Sequence, residues 1–492
     1  MKTSAPFLFS LFCALSSLFL CFYLRHVSIP SLLWVTVCFS VVLSQFILYL
    51  AVRRGKMLGG LINPLITFSL SFIVVYFQFV YCYLLELELG TLMLLSINSE
   101  TINYSVSLAA LAYSVFIAGY HKFAQVPTDA DFYLAQPDLS NQHIRQIIIN
   151  WLPFHIALNL LFFMLVGRDF LFGGHYDAGA SWGRGSNEVA TLISVAICVL
   201  VALETWRLQW RRPTTLISFL AVFDKKIMIL SLVWIFPFVV VGDRGTYLSI
   251  IFCYIASYAL VVKPLSLGQA VTVFIALAVF AVVAVSIRQT GQTWNQGRFW
   301  EGLGQSKERL GFRLNDWPTM ELAYSYRCWN VAIEIADEDK LPADHFPGKY
   351  NLTWSTIYLP PLVNRFFDPF NDDEFKSPPG AITYYIKGHM EGSGSGSVSL
   401  AAPYFDFGIL GIIIIPLLYG IGYAVVENMI RQKNSIYTIF IFIFCVYSAI
   451  YVNRSEFYLV LRCSVWGCIL LYVLVTFSRK KTMAPTSESK ES

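Results

Sequence analysis

The chain has 492 residues, of which 56% are hydrophobic and 13% charged, against about 25% charged in an ordinary soluble domain. Long apolar runs recur throughout and carry more apolar surface than soluble cores can hide, so lipid is the expected solvent for most of the chain. The formal charge is only +4, spread in short basic clusters between apolar runs, which argues against a nucleic-acid partner.

In chain order, apolar helices are predicted near 6–24, 31–52, 61–85, 103–120, 147–166, 189–206, 227–241, 246–262, 267–286, 407–426, 436–452 and 457–477. That gives an all-α polytopic membrane protein with about twelve transmembrane helices. The first run, Pro6 to Leu24, follows Lys2 as a signal peptide would. It is long for an apolar signal core, lacks a small-x-small cleavage site and meets a second span almost at once, so an uncleaved helix is expected. The 227–241 segment is short for a bilayer of about 30 Å. It is expected to extend into Gly242–Gly245 or to pair with the next helix as a re-entrant hairpin. Residues 1–286 thus carry the first group of spans, 287–406 a large loop and 407–477 the remaining spans, while 478–492 form a polar, disordered tail.

Alternate loops differ in basic residues. One set carries Arg53, Arg54 and Lys56; Lys122 and Arg145; Arg207, Arg211, Arg212, Lys225 and Lys226; Lys263; Arg431 and Lys433; and Arg479, Lys480 and Lys481. The other set carries mostly single arginines: Arg25, Arg168, Arg184, Arg244 and Arg454. The positive-inside rule therefore predicts cytoplasmic termini and places 287–397 outside, in the periplasm if the cell is bacterial. Of the cysteines, only Cys328 lies in the large loop, and no Cys/His spacing suits a metal. No internal repeat suggests a transporter of two similar halves.

The large loop holds most of the polar residues. Its first part interleaves Arg288, Arg298, Lys307, Arg309 and Arg313 with Trp294 and Trp300. Guanidinium groups suit phosphates and aromatic faces suit sugar rings, while the ordinary alternative is an outer domain with surface ion pairs. Asp243-Arg244, between Gly242 and Gly245, can reach an anionic head group or be a turn aspartate beside a snorkelling arginine. Arg454, in a turn between two spans, and Arg462, inside the last helix, are candidates for function or for structural salt bridges. The loop ends in Lys387-Gly-His389-Met-Glu391, a Gly/Ser run to Ser397, and then Tyr404, Asp406, Gly408 and Gly411 before an apolar helix. A Gly/Ser run there can present backbone N–H groups to an anion or be a flexible linker, and His389 and Glu391 are the nearest general bases. Asp129-Ala-Asp131 lies in a basic-side loop without a glycosyltransferase-sized domain, and Glu86-Leu-Glu88 alone does not make a metal site.

The stretches Val241–Leu248 and Ser397–Gly411, with the helix count, cytoplasmic termini and late large loop, resemble the bacterial O-antigen polymerase (Wzy) family. The topology covers nearly the whole chain and the motifs two short pieces. Arg168 and Gly179 also match an arginine–glycine spacing seen in some members, whereas Arg288, Arg298, Arg309 and Arg313 begin no such pair. The resemblance implies a GT-C-like glycosyltransferase of the inner membrane, acting in lipopolysaccharide biosynthesis. Such an enzyme moves a growing glycan from undecaprenyl pyrophosphate to the non-reducing sugar of an incoming lipid-linked repeat unit, without metal or cofactor. It implies that Arg244, Arg288 and Arg454 hold the diphosphate and that His389 or Glu391 takes the acceptor proton. Arg298, Arg309, Arg313, Trp294, Tyr404 and Asp406 then meet the substrate. The implied partners are the undecaprenyl-pyrophosphate-linked oligosaccharide, the bilayer, a chain-length regulator and a flippase. An O-antigen ligase, which also uses a late-loop histidine such as His389, is the nearest alternative. A polysaccharide or lipid transporter is the next, and a membrane scaffold the last.

Overall fold

A computed structural model describes residues 4–53, 59–87, 97–125, 141–167, 186–209, 213–241, 244–262, 319–338, 377–387, 396–432 and 435–483, with isolated positions between 211 and 350. The membrane-type helices are α1 (Ala5–Leu24), α2 (Leu32–Arg53), α3 (Pro64–Leu84), α4 (Ile102–Phe123), α5 (Asn141–Val166), α6 (Ser186–Leu208), α7 (Lys225–Val241) and α8 (Arg244–Val261). The longer of the short helices that follow are α9 (Tyr326–Asp337) and α10 (Pro378–Lys387), and then come α11 (Ala401–Phe407), α12 (Ile409–Gln432), α13 (Ile436–Ala449) and α14 (Phe457–Met483). Among the described residues, eight helices are long and apolar enough to cross a membrane, and Gly245–Val261 and Ile436–Ala449 are shorter apolar helices. The chain is an all-α, multi-pass membrane protein. The spans expected from sequence fall on these helices, except that near 267–286, most of which lies outside the described residues.

Helix starts follow local chemistry. The Asn63 side chain accepts from Leu65 N with Pro64 at the first helical position of α3, and Ser435 and Thr438 form a capping box on α13. Prolines inside α5, α7 and α12 (Pro153, Pro237 and Pro416) are of the kind that membrane helices accommodate when neighbours satisfy the freed carbonyls.

The centre of the bundle is α4, in which every residue from Ile102 to His121 is buried. A membrane helix facing only lipid needs no polar groups, but α4 carries Asn103, Ser105, Ser107 and Ser114, each matched to a neighbouring element or its own backbone. Asn103 Nδ2 donates to the Val27 and Ile29 carbonyls, and Gln45 Nε2 donates to Ser114 Oγ at 2.8 Å. These pairings run in register with Arg53 Nη1 to the Gln125 carbonyl, so α2 and α4 are parallel, and Tyr120 with Glu427 extends the same direction to α12. Tyr113 donating to Ser69 sets α3 the other way. Farther along the chain, Cys198 Sγ lies 3.4 Å from Cys253 Sγ and Thr205 donates to Ser257, so α6 and α8 are parallel. This alternation is what a chain crossing repeatedly through one layer requires.

The described parts of the large loop are not a separate body. On α9, Trp329 Nε1 donates to the Ser105 carbonyl at 3.0 Å, Tyr326 bonds Ser105 Oγ, and Asn330 exchanges bonds with Asn98 and Thr101 at the start of α4. Tyr385 of α10 donates to Glu334 of α9 at 2.6 Å.

The expected span 407–426 falls on α12, and a short helix, α11, precedes it. Gly408, at φ 58°, separates α11 from α12, and a Cβ on Gly411 would overlap the Pro403 carbonyl oxygen. The glycines of the Tyr404–Gly411 motif therefore make a sharp, closely packed corner.

Candidate functional site

The bundle has two chemically different ends. At the basic end, Arg53 and Arg431 meet Glu427 at 3.6 and 2.8 Å, and Tyr120 donates to the same carboxylate. This network is buried and joins α2, α4 and α12. A second buried pair, Glu204 with Arg207, also holds the Asp224 N–H at 2.8 Å and the Val222 carbonyl at 2.9 Å, fastening the turn into α7. Its bonds within one turn make it a structural pair, with Arg207 Nη1 buried and without a partner.

At the other end, irregular backbone is buried among the helices. The first component is a π-helical turn, Val74–Gln78, inside α3. Such turns interrupt an otherwise continuous helix and are frequent at functional sites. The second is the irregular chain entering α11, and the third is the 3₁₀ turn Val452–Arg454 between α13 and α14. Tyr76, on the π-turn, bonds Ser399 Oγ at 3.1 Å and accepts from Leu400 N at 3.3 Å. Asn453 Nδ2 donates to the Phe68 carbonyl at 3.0 Å and Ser71 Oγ at 3.2 Å, while Ser71 donates to the Ile450 carbonyl at 2.6 Å. Ser399 N donates to the Asn453 carbonyl. The three segments thus satisfy one another's polar groups. Within a membrane protein, non-helical backbone persists only where protein or a polar cavity surrounds it.

Two arginines flank this junction. Arg327 and Arg454 come from segments far apart in sequence, yet both act on the Cys328 thiol: burial pushes that thiol up, and the two guanidinium groups pull it back. Arg327 Nε is buried and has no hydrogen-bond partner. A buried guanidinium nitrogen without a partner is costly unless an acceptor completes it. Because its thiol is buried and remains protonated, Cys328 is expected to resist maleimide at neutral pH in the native protein and to react promptly after denaturation. Mass spectrometry of the tryptic peptide before and after unfolding checks this.

Next to the junction, Trp329 packs edge-on against both Tyr76 and Tyr404. Tyr404 donates to Asp337 Oδ1 at 2.8 Å and shares a 3.2 Å bond with Tyr104. Burial, then Tyr104 and the Asp337 carboxylate, push the Tyr404 hydroxyl up, so it remains a donor. Arg25 closes the chain, 3.6 Å from Asp337 and stacked over the Tyr104 ring.

Of the candidate residues singled out from sequence, Arg454, Arg462, Tyr404 and Asp406 are described with their side chains, Arg462 half-buried in α14. Tyr404 and Asp406 are buried and internally bonded, Asp406 accepting from Tyr350 N through both oxygens at 3.1 Å. In this structure they shape the junction and tie the segment at Tyr350 to the corner at Gly408. Arg244 is the first residue of α8, and its side chain lies outside the described residues. His389, Glu391, Arg288, Trp294, Arg298, Arg309 and Arg313 also lie outside them.

No family model, curated protein or solved structure matches this chain. The site is accordingly read from its own chemistry. Sequence reading passed over Arg327, Asp337, Tyr76 and Asn453. Arg327 sits among aromatic and apolar residues with no glycine or repeat to mark it, and Tyr76 is one aromatic among several in an apolar run. Among the described residues no group of His, Cys, Asp or Glu side chains is arranged to hold a metal ion.

Proposed function

We propose that the chain is a polymerase of lipid-diphosphate-linked oligosaccharide repeat units, acting at the membrane face that carries Arg454. The observation that supports this reading best is one buried polar junction with Arg454 in the turn whose Asn453 is bonded into it and Arg327, whose buried Nε has no partner, on the neighbouring α9. The junction begins directly after the Gly/Ser run that follows His389 and Glu391. The resemblance noted for Val241–Leu248 and Ser397–Gly411 supports the same class. On this reading about twelve spans place both termini in the cytoplasm and the junction at the outer face of a bacterial inner membrane.

The chemistry asks for two things. An acceptor sugar hydroxyl attacks the anomeric carbon of the donor glycan; the new C–O bond forms as the bond to the diphosphate oxygen breaks. The acceptor proton passes to a base, for which His389 and Glu391 are the candidates, and the lipid diphosphate leaves with added negative charge. Arg327 and Arg454, with Arg244 at the N-terminus of α8, are assigned to that charge. A diphosphate is already a good leaving group, so fixed cations and a positioned base account for the step.

Arg327→Ala and Arg454→Ala are each expected to cut polymerisation by about 10²–10³, the usual loss on removing one donor to a developing oxyanion. The protein should still reach the membrane in normal amount. The measurement is polymer length on a gel from cells carrying each variant, normalised to protein by immunoblot. Full-length polymer from both variants would remove these residues from the role.

A further inference from the structure

On α5, Trp151, His155 and Asn159 follow at intervals of four residues and so share one face. His155 is fully buried, and neither of its ring nitrogens has a hydrogen-bond partner; Asn159 Oδ1 and Trp151 Nε1 are buried and equally unmatched. The Asn159 amide cannot turn to relieve this, because its Nδ2 is committed to the His155 carbonyl at 2.8 Å. The same face continues into Phe162, which is buried against Trp234 at 4.9 Å between ring centroids. Polar demand is therefore concentrated in one half of a face that packs along α6 and, less extensively, α14 and α7.

Buried polar atoms in a membrane interior require partners, and groups left unmatched by protein point to bound water or an ion. The set here contains the indole donor, one donor and one acceptor on neutral imidazole, and an amide acceptor with two lone pairs. It has no formal charge to attract an ion. Balanced donors and acceptors on side chains one turn apart are what water bridges, since a buried water takes two to four polar partners. We propose that this face of α5 is an internal water-binding track, with water joining His155 to Asn159 and to Trp151. The track is independent of the glycan reading and of the junction near Arg454.

The test is hydroxyl-radical labelling by brief X-ray exposure of the full chain in lipid nanodiscs prepared in ¹⁸O-water, read by mass spectrometry. Radicals form from the bound water itself, so a residue touching it is oxidised although it is closed to bulk solvent. His155 is expected to gain ¹⁸O several-fold faster than Phe162 and Trp234. Both controls are equally buried, and the Trp234 indole is already bonded to Ser194. Asn159→Leu should lower His155 labelling several-fold while leaving Trp234 unchanged. Labelling of His155 in the native chain no faster than that of the controls overturns the proposal, whether or not the variant folds.

Discussion

Gly420→Val is expected to abolish assembly of the bundle, whereas Gly422→Val, two residues away, is expected to have little effect. A Cβ on Gly420 would overlap the Phe116 carbonyl oxygen, and one on Gly119 would lie 2.6 Å from the Leu417 carbonyl oxygen, so α4 and α12 touch backbone to backbone. Around Gly422 nothing lies within 4 Å. Small residues let membrane helices approach this closely, and there the lost contact is dispersion and packing, which the apolar lipid does not replace in kind. Overpacking a side chain costs about 1–3 kcal/mol in ordinary cores. Here the obstacle is backbone, which cannot change rotamer, so the helices must separate along their whole seam. Losing a whole helix seam costs more than the ~2 kcal/mol that would lower the folded-to-unfolded ratio about thirtyfold, and approaches the ~5–15 kcal/mol that holds an ordinary protein folded. Size-exclusion profiles of detergent-extracted protein, compared for the two valine variants, check the contrast.

The second large effect is expected at the basic end. Glu427→Ala leaves the Arg53 guanidinium, 4% exposed, facing the Tyr120 ring with no carboxylate and only the Gln125 carbonyl at 2.8 Å. Breaking a buried pair from one side costs about 3–5 kcal/mol, mostly from the charge left behind. Glu427→Gln retains an acceptor for Tyr120 and should cost less. A thermal-denaturation midpoint in detergent should therefore fall in the order wild type, glutamine variant, alanine variant, by several degrees overall. Equal midpoints would mean that the network is already solvated.

Much of the fold can be read from the sequence because lipid imposes a simple length and polarity requirement on each span. The runs at 6–24, 31–52 and 189–206 meet it without ambiguity, and helices are found there. Legibility declines where packing replaces lipid as the surroundings. The run containing α4 reads as an ordinary span, yet its Asn103, Ser105 and Ser114 are the hydrogen-bonding centre of the molecule. The π-turn at Val74–Gln78 leaves no mark on hydropathy, because backbone hydrogen-bond spacing is not encoded in polarity. Arg454 was conspicuous as a lone cation in a short turn. Its companion Arg327 was not, since nothing in a linear sequence indicates that α9 folds back onto the start of α4. Tyr404 and Asp406 stood out for residue type, and their internal bonds became apparent only with Asp337 and Tyr350 in place.

The proposal that this chain joins lipid-linked repeat units is tested most directly by deleting its gene in the source organism, on this reading a bacterium, and resolving the surface polysaccharide by gel electrophoresis. Collapse of the ladder to core bearing a single repeat unit, restored by the wild-type chain but not by the Arg327→Ala/Arg454→Ala double variant, is the predicted result. Accumulation of lipid-linked polymer that never reaches the core would instead mark a ligase, and an unchanged ladder would contradict a role in polymerisation altogether.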